Sequence, residues 1–99
     1  MTEVQRKYYK DGELFSEVFV IDDKMEGEYK EYYLNGELYV ICKYTNGKMH
    51  GEYKQYYKNG QLWEIYSFID NKINGTYKEY NINGELLESC IYENDIIVD

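Results

Sequence analysis

The chain has 99 residues, a formal net charge of −8, 14 tyrosines and no proline. That length bounds one domain, and because tyrosine makes up much of the 43% hydrophobic content, the aliphatic core is expected to be thin. No leader-like apolar run or membrane-spanning stretch occurs, and the acid excess argues against anionic lipid and nucleic acid as direct ligands, so a cytoplasmic protein is expected.

From the N-terminus, turn signals arrive at Asp11-Gly12, Asp22-Asp23, Asn35-Gly36, Asn46-Gly47, Asn59-Gly60, Asp70-Asn71, Asn83-Gly84 and Asn94-Asp95. Such dipeptides favour two-residue type I′ turns, whose central residues both need positive φ. The segments between them are rich in Tyr, Ile, Val and Phe and show no helical period. An antiparallel meander of about eight strands is predicted. After the last turn, Ile97 falls in the slot of Met25, Met49 and Ile73 and is expected to begin a ninth strand.

The same unit recurs every 24 residues, at 3–26, 27–50, 51–74 and 75–98. The fold expected is therefore all-β: an elongated single-sheet antiparallel meander of four β-hairpin repeats within one domain, 1–99. Two-residue turns place Tyr29 opposite Cys42 and Gly27 opposite Tyr44 on one face. On the other face they pair Tyr8 with Phe15, Tyr32 with Tyr39, Tyr56 with Trp63 and Tyr80 with Leu87. The repeat-initial glycines Gly27, Gly51 and Gly75 are expected to lie beneath the rings of Tyr44, Phe68 and Tyr92. The first copy has Glu3 in that slot and Val20 opposite.

Gly51, Tyr53, Tyr56, Asn59, Gly60, Leu62, Phe68, Lys72 and Gly75 give a pattern that resembles the MORN repeat, as do Gly27, Tyr29, Tyr32, Asn35, Gly36, Leu38, Tyr44, Lys48 and Gly51. The resemblance spans nearly the whole chain and implies a twisted meander with one hairpin per repeat. It further implies a binding module, since bacterial relatives are often labelled antitoxins or immunity proteins and others are scaffolds.

His50 has no Cys or His at metal spacing, and the carboxylates Glu13, Glu37 and Glu85 fall at repeat-equivalent positions, which suits structure rather than a unique active site. No catalytic residue, metal ligand or cofactor is assigned, and the chain is read as a non-enzyme. If each repeat adds two strands, Cys42 and Cys90 stand about 19 Å apart, too far for a disulfide.

The functional expectation is an acidic inhibitor, or an antitoxin- or immunity-type protein, that neutralises a basic protein partner such as a toxin or a nucleic-acid-processing enzyme. The alternative is a scaffolding repeat protein that self-assembles or mediates protein contacts. The first and last repeats carry −3 and −4 and the middle two are neutral, which serves edge protection or contact with a basic partner. Candidate partner-binding residues are Tyr32, Tyr39, Tyr56 and Trp63 as aromatic anchors, and Glu85, Glu88, Glu93 and Ile97 along the C-terminal edge. That edge is expected either to be capped by its tail or to dock a partner strand or a second copy as a homodimer.

Overall fold

The computed structural model describes residues 2–99. It is one antiparallel sheet, with β1 (Thr2–Tyr8), β2 (Leu14–Ile21), β3 (Lys24–Tyr32), β4 (Leu38–Thr45), β5 (Lys48–Tyr56), β6 (Leu62–Ile69), β7 (Lys72–Ile73), β8 (Gly75–Tyr80), β9 (Leu86–Glu93) and β10 (Ile96–Ile97). Each strand pairs with its neighbours in sequence, except that β6 carries both β7 and β8, which form one interrupted strand about Asn74. β10 is the expected ninth strand, with Ile97 opposite Tyr92. The sheet measures 41 × 31 × 15 Å, a single layer. The two cysteines are free.

The eight turns divide into two kinds. Asp22-Asp23, Asn46-Gly47, Asp70-Asn71 and Asn94-Asp95 have positive φ at both residues, as type I′ requires. The other four turns are not the expected two-residue type. At Asn35-Gly36, the Gly36 N–H donates to Tyr33 O and the Tyr33 N–H donates to Glu37 O, so Leu34, Asn35 and Gly36 form a three-residue loop. Only the glycine has positive φ there, and the Asn35 side chain accepts from the Glu37 N–H at 2.9 Å. This is the longer hairpin loop built on a type I turn and a left-handed glycine.

The extra loop residue shifts register by one at the turn, and a bulge shifts it back. Tyr32 lies opposite Leu38 and Glu31 opposite Val40, leaving Tyr39 as the bulged residue. The same shift follows Lys7, Gln55 and Glu79. Away from the loops the expected pairs are present, Gly27 with Tyr44 and Tyr29 with Cys42 among them. Near the loops, the expected pairs Tyr8–Phe15, Tyr32–Tyr39, Tyr56–Trp63 and Tyr80–Leu87 are replaced by Tyr8–Leu14, Tyr32–Leu38, Tyr56–Leu62 and Tyr80–Leu86.

A second bulge explains the repeat-initial glycine. Between Val18↔Tyr29 and Val20↔Met25, three residues of β3 face one residue of β2. Gly27 sits in this bulge at φ 86°, and Gly51 occupies the equivalent place at 102°. Side chains rarely adopt that backbone, so glycine is selected by conformation. The expected cover by an aromatic ring is not what excludes a side chain: a Cβ on Gly51 would meet Lys43 at 3.8 Å and nothing of Phe68 within 4 Å. Glu3 needs no such conformation, because among the described residues β1 pairs with β2 alone and continues straight opposite Val20.

The buried residues Ser16, Val18, Val20, Val40 and Cys42 share one face. Tyrosines of adjacent strands cover them, Tyr29 meeting Tyr44 edge-on and Tyr53 stacking on Tyr66 at 4.8 Å. The core is thus aliphatic in the first two hairpins and aromatic in the third.

Candidate functional site

Register sorts the charged residues by face. One row reads Arg6, Glu17, Lys30, Ile41, Lys54, Ile65, Lys78 and Ser89 across the strands, and this lysine face also holds Lys43 opposite Glu28. Its ion pairs, Arg6–Glu17 at 2.8 Å, Lys30–Glu28 at 3.8 Å and Lys54–Glu52 at 3.6 Å, lie at the surface and contribute little each. The opposite, tyrosine face carries the row Lys7, Ser16, Glu31, Val40, Gln55, Glu64, Glu79 and Glu88. Both faces carry acids, but those of the lysine face stand among bases while those of the tyrosine face at Glu64, Glu79 and Glu88 do not, which residue order alone does not reveal.

Glu64, Glu79 and Glu88 lie directly opposite one another on three neighbouring strands. Adjacent strands are about 4.8 Å apart, so three carboxylates stand in line with no base between them. The Tyr77 hydroxyl donates to Glu64 at 2.9 Å. Burial, then that bond, pushes the Tyr77 phenol far above its ordinary range. Burial also raises Tyr57, with the charges of Glu79 and Glu64 adding to the effect. In the sheet, Glu64 lies opposite Gln55, two residues before Tyr57, and follows Trp63 directly.

Tyr57 stacks on Trp63 with ring centroids 4.8 Å apart and planes at 13°. Tyr33 meets Tyr39 at 4.6 Å and Tyr9 meets Phe15 at 5.1 Å. The loop-side bulge makes these pairs, turning Tyr39 and Trp63 toward Tyr33 and Tyr57 instead of Tyr32 and Tyr56. Gln55, opposite Val40 on the tyrosine face, donates to the Tyr39 hydroxyl at 3.3 Å. The predicted anchors are therefore divided: Tyr39 and Trp63 belong to the tyrosine face, while Tyr32 and Tyr56 lie opposite Leu38 and Leu62 on the lysine face. Tyr57, the ring that stacks on Trp63, is not among the residues the sequence singled out. The signal for it was the run Tyr9, Tyr33, Tyr57, Asn81, one residue after the tyrosines chosen.

The acidic candidates also separate. Glu88 completes the carboxylate line. Glu85 lies in the last loop, where its side chain accepts from Asn81 at 3.1 Å. Glu93 ends β9 opposite Ile96, and Ile97 lies opposite Tyr92. No group of three or more His, Cys, Asp or Glu side chains among the described residues is arranged to hold a metal ion. A shallow depression on the lysine face is lined by Glu52, Leu62, Ile65, Ser67, Thr76, Lys78 and Tyr80.

Residues 25–48 and 49–70 each match the MORN repeat variant, so these two consecutive repeats are MORN repeats. Repeats of this kind are in general protein- or membrane-binding modules and typically non-catalytic. No curated protein matches the chain.

Proposed function

We propose that the chain is a non-catalytic binding module whose tyrosine face engages and neutralises a basic protein, such as a toxin or a nucleic-acid-processing enzyme with a basic cleft. The observation that carries this reading is the Tyr57–Trp63 stack beside the Glu64, Glu79 and Glu88 line. Flat aromatic surface next to unneutralised carboxylates suits a partner's Arg or Lys, which gains ring contact and charge pairing together. The acidic rim favours such a protein over an anionic bilayer.

The test is capture from a lysate of the source organism, with wild type and the Glu64→Lys/Glu79→Lys variant as parallel baits. A basic protein enriched by wild type, lost with the variant and inhibited by the purified chain supports the reading. Equal recovery on both baits, or loss with Lys54→Glu instead, overturns it. A scaffolding role is the second reading, favoured by the two open edges of the sheet.

A further inference from the structure

Among the described residues, no strand lies beyond β1, and none lies beyond β9 at Glu88, Ser89 and Cys90. β10 and the tail engage only Tyr92, Glu93 and Ile91, with the Val98 N–H donating to Ile91 O at 2.8 Å. The two edges differ in charge. In Thr2 to Lys10, Arg6, Lys7 and Lys10 outnumber Glu3; Arg6 is paired with Glu17 at 2.8 Å, which leaves Lys7 and Lys10 as the edge's uncompensated bases. Around β9 stand Glu85, Glu88, Glu93, Asp95 and Asp99.

The internal repeat junctions also share one register. Ser16↔Glu31, Val40↔Gln55 and Glu64↔Glu79 are the same pair in successive repeats, as are Glu17↔Lys30, Ile41↔Lys54 and Ile65↔Lys78. One further period of 24 residues places Glu88 and Ser89 against the positions that Lys7 and Arg6 hold in β1.

We infer that copies of this chain add head to tail, β1 of one copy docking along β9 of another in the register of the internal junctions. Lys7 then faces Glu88, Arg6 faces Ser89 and Gln5 faces Cys90. This supplies the base that the carboxylate line lacks. It also covers Leu86 and Leu87, which are 56% and 58% exposed, whereas the repeat-equivalent Leu62 and Trp63 are half-buried beside a following strand. The junction is weaker than an internal one for two reasons. Asn81 replaces the tyrosine that reaches into the next repeat, and the tail shares the end of the slot with residues 2 and 3. Because the surfaces joined are different, the contact does not close into a dimer but propagates.

The junction shares Glu88 with the proposed partner site, and the two readings separate by test. β1 stands at the opposite end of the strand order from the carboxylate line, so Lys7→Glu tests association without touching the Tyr57–Trp63 stack, while Glu64→Lys, two strands in from β9, tests partner capture. The experiment is sedimentation velocity over a wide protein concentration range at low and high salt. Wild type is expected to grow beyond a dimer with concentration, more so at low salt. Lys7→Glu and Glu88→Lys should each be monomeric, and the double variant should associate again. Both positions are exposed, so folding is retained; Lys7→Ser and Glu88→Ser provide a milder pair, each expected to weaken association. A wild type that stays monomeric, growth that stops at a dimer, or single reversals that leave association unchanged would overturn the inference. So would a folded double variant that stays monomeric.

Discussion

The Tyr57 hydroxyl donates to the main-chain oxygen of Tyr80, 2.8 Å away in the next repeat. Tyr9 makes the same bond to Tyr32 O at 2.7 Å, and Tyr33 to Tyr56 O at 2.6 Å. These are clasps between hairpins along the loop margin of a single-layer sheet. A net hydrogen bond contributes about 1 kcal/mol. Tyr33→Phe and Tyr57→Phe should each lower stability by about that amount in urea titrations, while keeping the ring stacks. Tyr32→Phe, on the lysine face, should lower it less.

Gly51 predicts a different kind of loss. At φ 102° in a bulge, any side chain strains the backbone, at a cost of roughly 1–3 kcal/mol. Gly51→Ala should therefore destabilise although its Cβ has space. The cost should be the same in a Phe68→Leu background, because ring and Cβ do not meet. A double-mutant cycle showing strong coupling would restore the ring as the cause.

How much of this was legible depended on distance from the loops. The 24-residue period and alternation fixed the meander and pairs such as Tyr29 with Cys42, because the bulge after Glu31 cancels the extra loop residue. That cancellation hid the error: a register checked only at remote pairs looks correct with either loop. Asn-Gly serves both hairpin types, so Asn35-Gly36 and Asn46-Gly47 read alike yet fold differently. The missed bulge had a trace in the sequence: glycine opens each repeat whose first strand has a preceding neighbour, and Glu3 stands where there is none. The Glu64–Glu79–Glu88 line emerged only when the register joined residues 15 and 9 positions apart.

Alkaline pH should weaken the fold. Burial, with the charge of Glu31 adding to it, pushes the Cys42 thiol up to about 11. Burial first, and then donation to Glu31 and Glu64, raises Tyr29 and Tyr77 far above the ordinary range; burial does the same to Tyr53. Each group keeps its proton longer when folded, so the unfolded chain deprotonates first and stability falls as pH rises. The loss should begin near the unfolded thiol value of about 8.5 and deepen past about 10, where unfolded tyrosines ionise. Urea midpoints that stay level from neutrality to about pH 10.5 would contradict these assignments.

The opposite margin of the sheet has its own clasp, and one copy of it is incomplete. The Asn71 N–H donates to Met49 O at 3.0 Å, and the Asn71 side chain accepts from the Met49 N–H at 2.8 Å. Asp95 brackets Ile73 in the same way, at 3.0 and 2.8 Å. Gly47 occupies that slot one repeat earlier. Its N–H donates to Met25 O at 3.0 Å, but it has no side chain to accept from Met25. Its φ of 84° lies near the 72° that Asn71 adopts, and the atoms nearest to a Cβ there belong to Lys24, at an ordinary 3.8 Å. Asparagine tolerates this conformation better than other side chains, and it narrows the unfolded ensemble relative to glycine. Gly47→Asn should therefore stabilise by about 1 kcal/mol, from one added hydrogen bond and lower unfolded-state entropy. Gly47→Ala supplies no acceptor and should bring no gain. If both variants shift the urea midpoint equally, the side-chain half of the clasp contributes nothing. If Gly47→Asn alone raises it, the bond that Asn71 and Asp95 make is the cause.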